Sequence, residues 1–148
     1  MGGRRGCAPE AHDPMAIVTT VPVRDADIDA AGHVYFGHFF TFAHEGFMAF
    51  LDARGLDLER RTQLGFQLVA AHAEMDYRGR VLRRDTVELH AEVERLGRTS
   101  LTTRISMLSL SNREPVADGK LVHVCVGLKN LVPQPWPEAA ISILQLAG

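Results

Sequence analysis

The sequence predicts an α+β fold: an antiparallel sheet wrapped around one long buried helix. Three observations carry this reading. Around residues 38–54, Phe39, Phe40, Phe42, Ala43, Phe47, Phe50 and Leu51 cover most of a helical circumference, and a helix apolar nearly all round belongs inside a protein. A β-branched run precedes it. From Phe66 onward the apolar period changes to two and recurs through successive segments, as strands require. Sheet and helix can then hide their apolar faces on each other.

In order, Ala16 to Arg24 reads as a strand, because Ile17, Val18, Thr19, Thr20, Val21 and Val23 are nearly all β-branched. Pro22 marks an end that is not laddered on both sides. Residues 25–37 form a loop rich in Asp, Ala and Gly, and the helix from His38 to Arg54 stops at Gly55. Leu56 to Gly65 is polar and Arg-rich and reads as a connection. Phe66 to Tyr77 gives a strand. In Thr86 to Leu96, Val87, Leu89, Ala91 and Val93 alternate with Glu88, His90, Glu92 and Glu94, giving one buried and one solvated face. Leu96-Gly97-Arg98 turns the chain into Thr99 to Leu110. Ser111 to Gly119 reads as a connection in which Val116-Ala117 can already pair. Leu121 to Leu128, apolar apart from His123, is a central strand. Pro133, Pro135 and Pro137 end the sheet, and Glu138 to Leu146 makes a short final helix.

The 148 residues suit one domain, placed at 15–148 behind a flexible tail at 1–14. Sixteen Lys and Arg against 18 Asp and Glu leave a net charge of −2. Without a basic stripe, the chain lacks the footprint of duplex nucleic-acid binding. No apolar run reaches the roughly 18 residues that span a bilayer. Cys7 and Cys125 form neither a disulfide framework nor a metal-ligand spacing. The tail carries no apolar export core, and Gly6 stands where a myristoylation motif wants Ser or Thr. The expected setting is the reducing cytoplasm.

The chemistry is expected in the loop before the helix, Asp25-Ala26-Asp27-Ile28-Asp29-Ala30-Ala31-Gly32-His33-Val34-Tyr35-Phe36. A helix N-terminus offers unpaired N–H groups and a partial positive charge, suited to an oxyanion or a polarised carbonyl. A nearby carboxylate can act as general base on water or attack an acyl carbon itself. Gly32 permits close backbone approach or a positive φ. Any single Asp before a helix is more often a cap or a turn residue. The combination suits acyl-group hydrolysis.

Asp-x-Asp-x-x-Gly-His-Val, placed between a β-branched strand and an aromatic helix, resembles the hot-dog fold thioesterases of the 4-hydroxybenzoyl-CoA thioesterase family. The element order, the buried helix and the turn Leu96-Gly97-Arg98-Thr99-Ser100-Leu101 are similar to that family as well, so the resemblance covers about Ala16 to Leu131. It implies hydrolysis of an acyl- or aryl-CoA thioester, or of an acyl-carrier-protein thioester, with no cofactor and no metal. Asp29 matches the catalytic carboxylate, as base or nucleophile, and Asp27 a more variable acidic partner. Gly32 matches the turn glycine, and Phe36 the residue whose amide faces the thioester oxygen; His33 and Tyr35 flank them in the same site. Tyr35-Phe36 stands where one branch carries Asn-Asn, and His44, beside Glu45, where the helix often carries Glu. Phe36, Phe39 and Phe40 make an aromatic wall.

Arg78, Arg80, Arg83 and Arg84 cluster at a turn and are candidates for a coenzyme A phosphate. His33, His38 and His44 lack metal-ligand spacing, His72, His90 and His123 receive no role, and Cys125 is core. Two alternatives remain open on the same fold, a hydratase or dehydratase and a non-catalytic acyl-binding protein. An isolated hot-dog sheet leaves edges and an open face, so a homodimer or homotetramer with sites at the subunit interface is expected.

Overall fold

The computed structural model describes residues 17–146; the tail expected at residues 1–14 lies outside them. Strand β1 (Ile17–Pro22) is followed by a 3₁₀ turn (Asp25–Asp27), α1 (His38–Ala53), α2 (Leu58–Leu64), β2 (Phe66–Tyr77), β3 (Thr86–Leu96), β4 (Ser100–Ser109), β5 (Pro115–Gly127) and α3 (Glu138–Leu146). The strands form one sheet in the order β1-β3-β4-β5-β2, and every neighbouring pair is antiparallel. This is the hot-dog arrangement expected from the sequence.

The core forms where α1 lies on the sheet. Phe42, Ala43, Phe47 and Phe50 are 0% exposed and meet Val87, Leu89, Leu101 and Ile105, also 0% exposed. Gly46 brings the helix close to β3, since a Cβ there would stand 3.4 Å from Leu89 Cβ. Each fully buried Phe or Leu contributes on the order of 1.5–3 kcal/mol relative to exposure.

Three expectations are corrected. Residues 58–64 are helical, although 56–65 reads as a connection. The helix buries none of its own residues and so shows no apolar period; its signals are caps instead. Asp57 accepts a hydrogen bond from Arg60 N at 2.8 Å, and Gly65 closes the end at φ 87°. β5 begins at Pro115 and runs through Gly119, so Ser111 to Gly119 is mostly strand. A leading proline and an internal glycine, both strand breakers by composition, hide it. Glu88 is 6% exposed and not solvated, because His90 Nε2 (2.9 Å) and Arg113 Nη1 (3.4 Å) close over its carboxylate.

The proline-rich stretch clamps the far end of the sheet. Trp136 is 5% exposed, packs edge-on against Phe66 at 5.7 Å and donates from Nε1 to Gly97 O at 3.0 Å. It thereby pins the β3–β4 turn. Ala140 and Leu144 of α3 complete that end of the core. Among the described residues, no helix is long and apolar enough to cross a membrane.

His123 points inward from β5 and stacks on Phe47, with ring centroids 4.0 Å apart and planes 6° apart. Its buried Nδ1 has no partner among the described residues. Burial, then the neighbouring His44 and Arg61, pull its pKa down to about 4. The folded state therefore favours neutral imidazole more than the unfolded chain does. This contribution is complete above the unfolded value of about 6.5 and is lost as pH falls from there toward 4. Denaturant unfolding of the native protein should lose stability over that window. In His123→Phe the loss should flatten between pH 6.5 and 4.5, leaving the steeper fall below about pH 4.5 from carboxylates such as Asp27 and Asp85, which the fold holds below their ordinary range.

Candidate active site

The loop between β1 and α1 is built on Asp27. The residue is 1% exposed, and its side chain accepts from Arg24 N (2.8 Å), Arg24 Nη2 (3.0 Å) and the ring Nδ1 of His38, the first residue of α1 (3.0 Å). Burial alone would raise its pKa, but the hydrogen bonds and charge of Arg24, with His38, hold it below the ordinary carboxylate range. Its backbone carbonyl accepts Tyr35 N at 2.9 Å. One buried carboxylate thus ties the end of β1 to the start of the helix.

Two residues on, Asp29 is held differently. Residues 29–33 close on themselves, with Asp29 N donating to His33 O (2.9 Å) and Gly32 N to Asp29 O (3.0 Å). Gly32 takes φ 90° at the apex, a conformation that favours glycine. Asp29 Oδ1 accepts Ala31 N at 2.9 Å. No partner of Oδ2 is found among the described residues, so that oxygen is available for chemistry.

Asp29 lines a cleft of about 260 Å³ together with His33, Val34, Phe36, Phe39, Tyr77, Gly79, Arg80 and Val81. One wall is the loop and the first residues of α1. The other is the segment after β2, joined to the loop by Val34 N to Val81 O at 2.8 Å and by a bridge between His33 and Leu82. Rings at the mouth meet edge to face: Phe36 and Tyr77 at 6.3 Å, Phe39 and Tyr77 at 5.3 Å. At the helix entrance His38 N, Phe39 N and Phe40 N have backbone acceptors, whereas among the described residues Phe36 N and Gly37 N have none. These are the free donors of a helix N-terminus.

The structure thus brings Asp29, His33 and Phe36 into one cleft, with Gly32 shaping the loop that carries Asp29. Tyr35, 44% exposed, meets Phe36 at a tilt of 43° with centroids 4.7 Å apart and lies edge-on to His38 at 5.5 Å, outside the cleft lining. Phe40 does not line it either, which corrects the aromatic wall to Phe36 and Phe39 with Tyr77. His38 serves Asp27. Of the four arginines, Arg80 alone lines the cleft. Arg78 is paired with Asp118 at 2.9 Å and Arg83 with Asp25 at 2.8 Å, while Arg84 adopts φ 70° in the turn. No cluster of three metal-binding side chains is found among the described residues. Sequence reasoning missed Tyr77, whose hydroxyl donates to Phe36 O at 2.9 Å across 41 positions. It reads as the last residue of a strand, and nothing in one sequence joins it to Phe36.

The chain belongs to the thioesterase-like superfamily, whose family model matches residues 23–144. Among individual proteins it is similar to the 1,4-dihydroxy-2-naphthoyl-CoA hydrolase of Synechococcus elongatus, with 30% identity over 128 residues, 85% of this chain and 93% of that one. The enzyme of the same name from Synechocystis is 27% identical over 119 residues, 77% of this chain and 86% of that one. The crystal structure of a Synechocystis 1,4-dihydroxy-2-naphthoyl-CoA thioesterase superposes with a TM-score of 0.76 at 22% identity, covering 86% of this chain and 93% of the other.

The two acids of the loop should separate in stability measurements. Asp27→Ala strands Arg24 and the helix entrance and should cost about 1.5–3 kcal/mol, the worth of hydrogen bonds to a charged group. Asp29→Asn keeps an acceptor for Ala31 N and should stay within about 0.5 kcal/mol of native. Denaturant titration of both variants checks this; equal destabilisation would contradict the division of labour.

Proposed function

We propose that this protein hydrolyses a coenzyme A thioester of an aromatic acid, with Asp29 as the reacting carboxylate and the Phe36 N–H as oxyanion donor. One observation carries the reading: a single cleft is lined by Asp29 and Phe36, whose Oδ2 and backbone N–H have no partner among the described residues, and by a wall of aromatic rings. The thioester carbonyl would lie against Phe36 N–H and the positive end of α1. Asp29 would either take a proton from the attacking water or form an acyl anhydride that water then opens. In both routes the C–S bond breaks, the thiolate gains a proton and the acid leaves as carboxylate. The resemblance of the loop to the 4-hydroxybenzoyl-CoA thioesterase family supports these roles, and relatives named for a naphthoyl-CoA substrate support an aromatic acyl group.

Edge-to-face contacts among Phe36, Phe39 and Tyr77 suit a flat ring, since aromatic pairs gain about 0.5–1.5 kcal/mol beyond area burial. A volume of about 260 Å³ falls below the roughly 300–1,000 Å³ of pockets that enclose a whole ligand, so the cleft takes the acyl end and the nucleotide lies outside. Arg80, without a carboxylate partner among the described residues, is the arginine suited to meet a phosphate. A reducing cytoplasmic setting fits Cys125, a fully buried thiol whose pKa burial pushes up to about 11.

The assembly belongs to the same proposal. β2 is a 12-residue strand at the sheet's edge with only Phe66 buried, and Ala70, Ala71 and Ala73 along it are small and exposed. A long unpaired edge invites another strand. We propose that β2 pairs with β2 of a second copy, which would bring partner atoms near Tyr77 and the mouth of the cleft. Sedimentation should show a dimer or a multiple of it at micromolar concentration; a monomer would rule the pairing out.

Thiol release from a panel of aroyl- and straight-chain acyl-CoA thioesters tests the activity. Native protein should turn over aroyl thioesters with the higher kcat/KM, and Asp29→Asn should lose about 10²–10⁴ in rate, the range of a positioned acid–base group. No thiol release from any thioester by folded protein would refute the reading and return weight to an acyl-binding role.

A further inference from the structure

We infer that the Tyr77 hydroxyl is a positioning group for the oxyanion site, an inference that rests on the roles proposed for Asp29 and Phe36. The hydroxyl reaches from the end of β2 to the carbonyl of Phe36 at 2.9 Å. The same carbonyl accepts Phe39 N at 3.3 Å in the opening turn of α1. Phe36 is therefore fixed from both sides: Tyr35 N is held by Asp27 O, and the peptide after Phe36 is held by Tyr77. The Phe36 N–H lies between these two anchors, so its direction follows from them.

The bond has a second effect. Phe36 C=O and Gly37 N–H belong to one peptide unit, so a proton donated to that oxygen polarises that N–H, as hydrogen bonds in a chain strengthen one another. One hydroxyl thus fixes the peptide that follows the Phe36 N–H and polarises the Gly37 N–H. Tyr77 lines the cleft but gives its proton to protein and not to substrate, so it positions and does not react. Its ring is held independently by Phe36 and Phe39. Burial, with Tyr35 nearby, pushes its pKa above the ordinary value, which keeps the donor proton in place through neutral and mildly alkaline pH.

Tyr77→Phe removes the hydroxyl and keeps the ring. With the fastest-turned-over thioester, kcat should fall about tenfold, a fraction of the roughly 10²–10³ lost when an oxyanion donor itself is removed. KM should stay within about twofold and the melting temperature should not move. A second measurement reads the carbonyl directly. In Asp29→Asn, which should turn thioester over slowly enough to be observed bound, infrared spectroscopy of a carbonyl-labelled aroyl-CoA should show the C=O stretch at lower frequency than in water. Adding Tyr77→Phe should move it part of the way back. A native kcat in Tyr77→Phe, a rise in KM alone, or an unmoved stretch overturns the inference. If Asp29→Asn hydrolyses as fast as native, the proposed site itself fails. An inactive Asp29→Asn with a fully active Tyr77→Phe removes Tyr77 alone.

Discussion

A helix with Phe42, Phe47 and Phe50 at 0% exposure on one face, and with Thr41, His44, Glu45 and Asp52 exposed on the other, can persist only against something that covers its apolar face. The sheet does so, and the rest of the architecture follows. The sequence expectation of a helix buried nearly all round is corrected to one buried face. Because β1 leads straight into the helix, the connecting loop must cross the end of the sheet beside the helix N-terminus. Free N–H groups, partial positive charge and an Asp-rich loop therefore converge there. The cleft is where a buried helix has to begin.

Within the loop, two carboxylates two positions apart have opposite surroundings. Asp27 is buried, satisfied by Arg24 and His38 and held ionised. Asp29 sits half-buried in a self-closed turn, with one oxygen that has no partner among the described residues. The first is a brace that ties the end of β1 to the start of the helix, on either side of the second. Catalysis by preorganised dipoles requires such rigidity, since an oxyanion donor works only if it need not reorganise as charge develops. Tyr77 extends the brace to the far wall, so strand end, loop and helix entrance form one unit.

Much of this was legible in the sequence for physical reasons. β3 matches its predicted span because alternation of apolar residues survives wherever one face is buried, and α1 because its apolar side chains recur on one face over sixteen residues. The loop motif singled out Asp29 and Phe36, both of which line the cleft. What failed had no periodic signal. α2 buries none of its own residues and betrays itself only through Asp57 and Gly65. β5 hides its start behind Pro115 and Gly119. Glu88 looked solvated because alternation reports which face a residue takes, not whether Arg113 and His90 cover it. Tyr77 was invisible because its partner lies 41 positions away, and the four arginines could not be ranked until Asp25 and Asp118 were seen to occupy two of them.

The central claim is that the helix entrance binds the carbonyl of a thioester. Amide nuclear magnetic resonance of Asp29→Asn, titrated with an aroyl-CoA thioester, tests it most directly. Saturable downfield shifts are expected, largest at the Phe36 and Gly37 N–H signals, with smaller changes at Gly79 and Val81 across the cleft. Saturable binding that leaves Phe36 and Gly37 unmoved while shifting amides elsewhere on the sheet would contradict it.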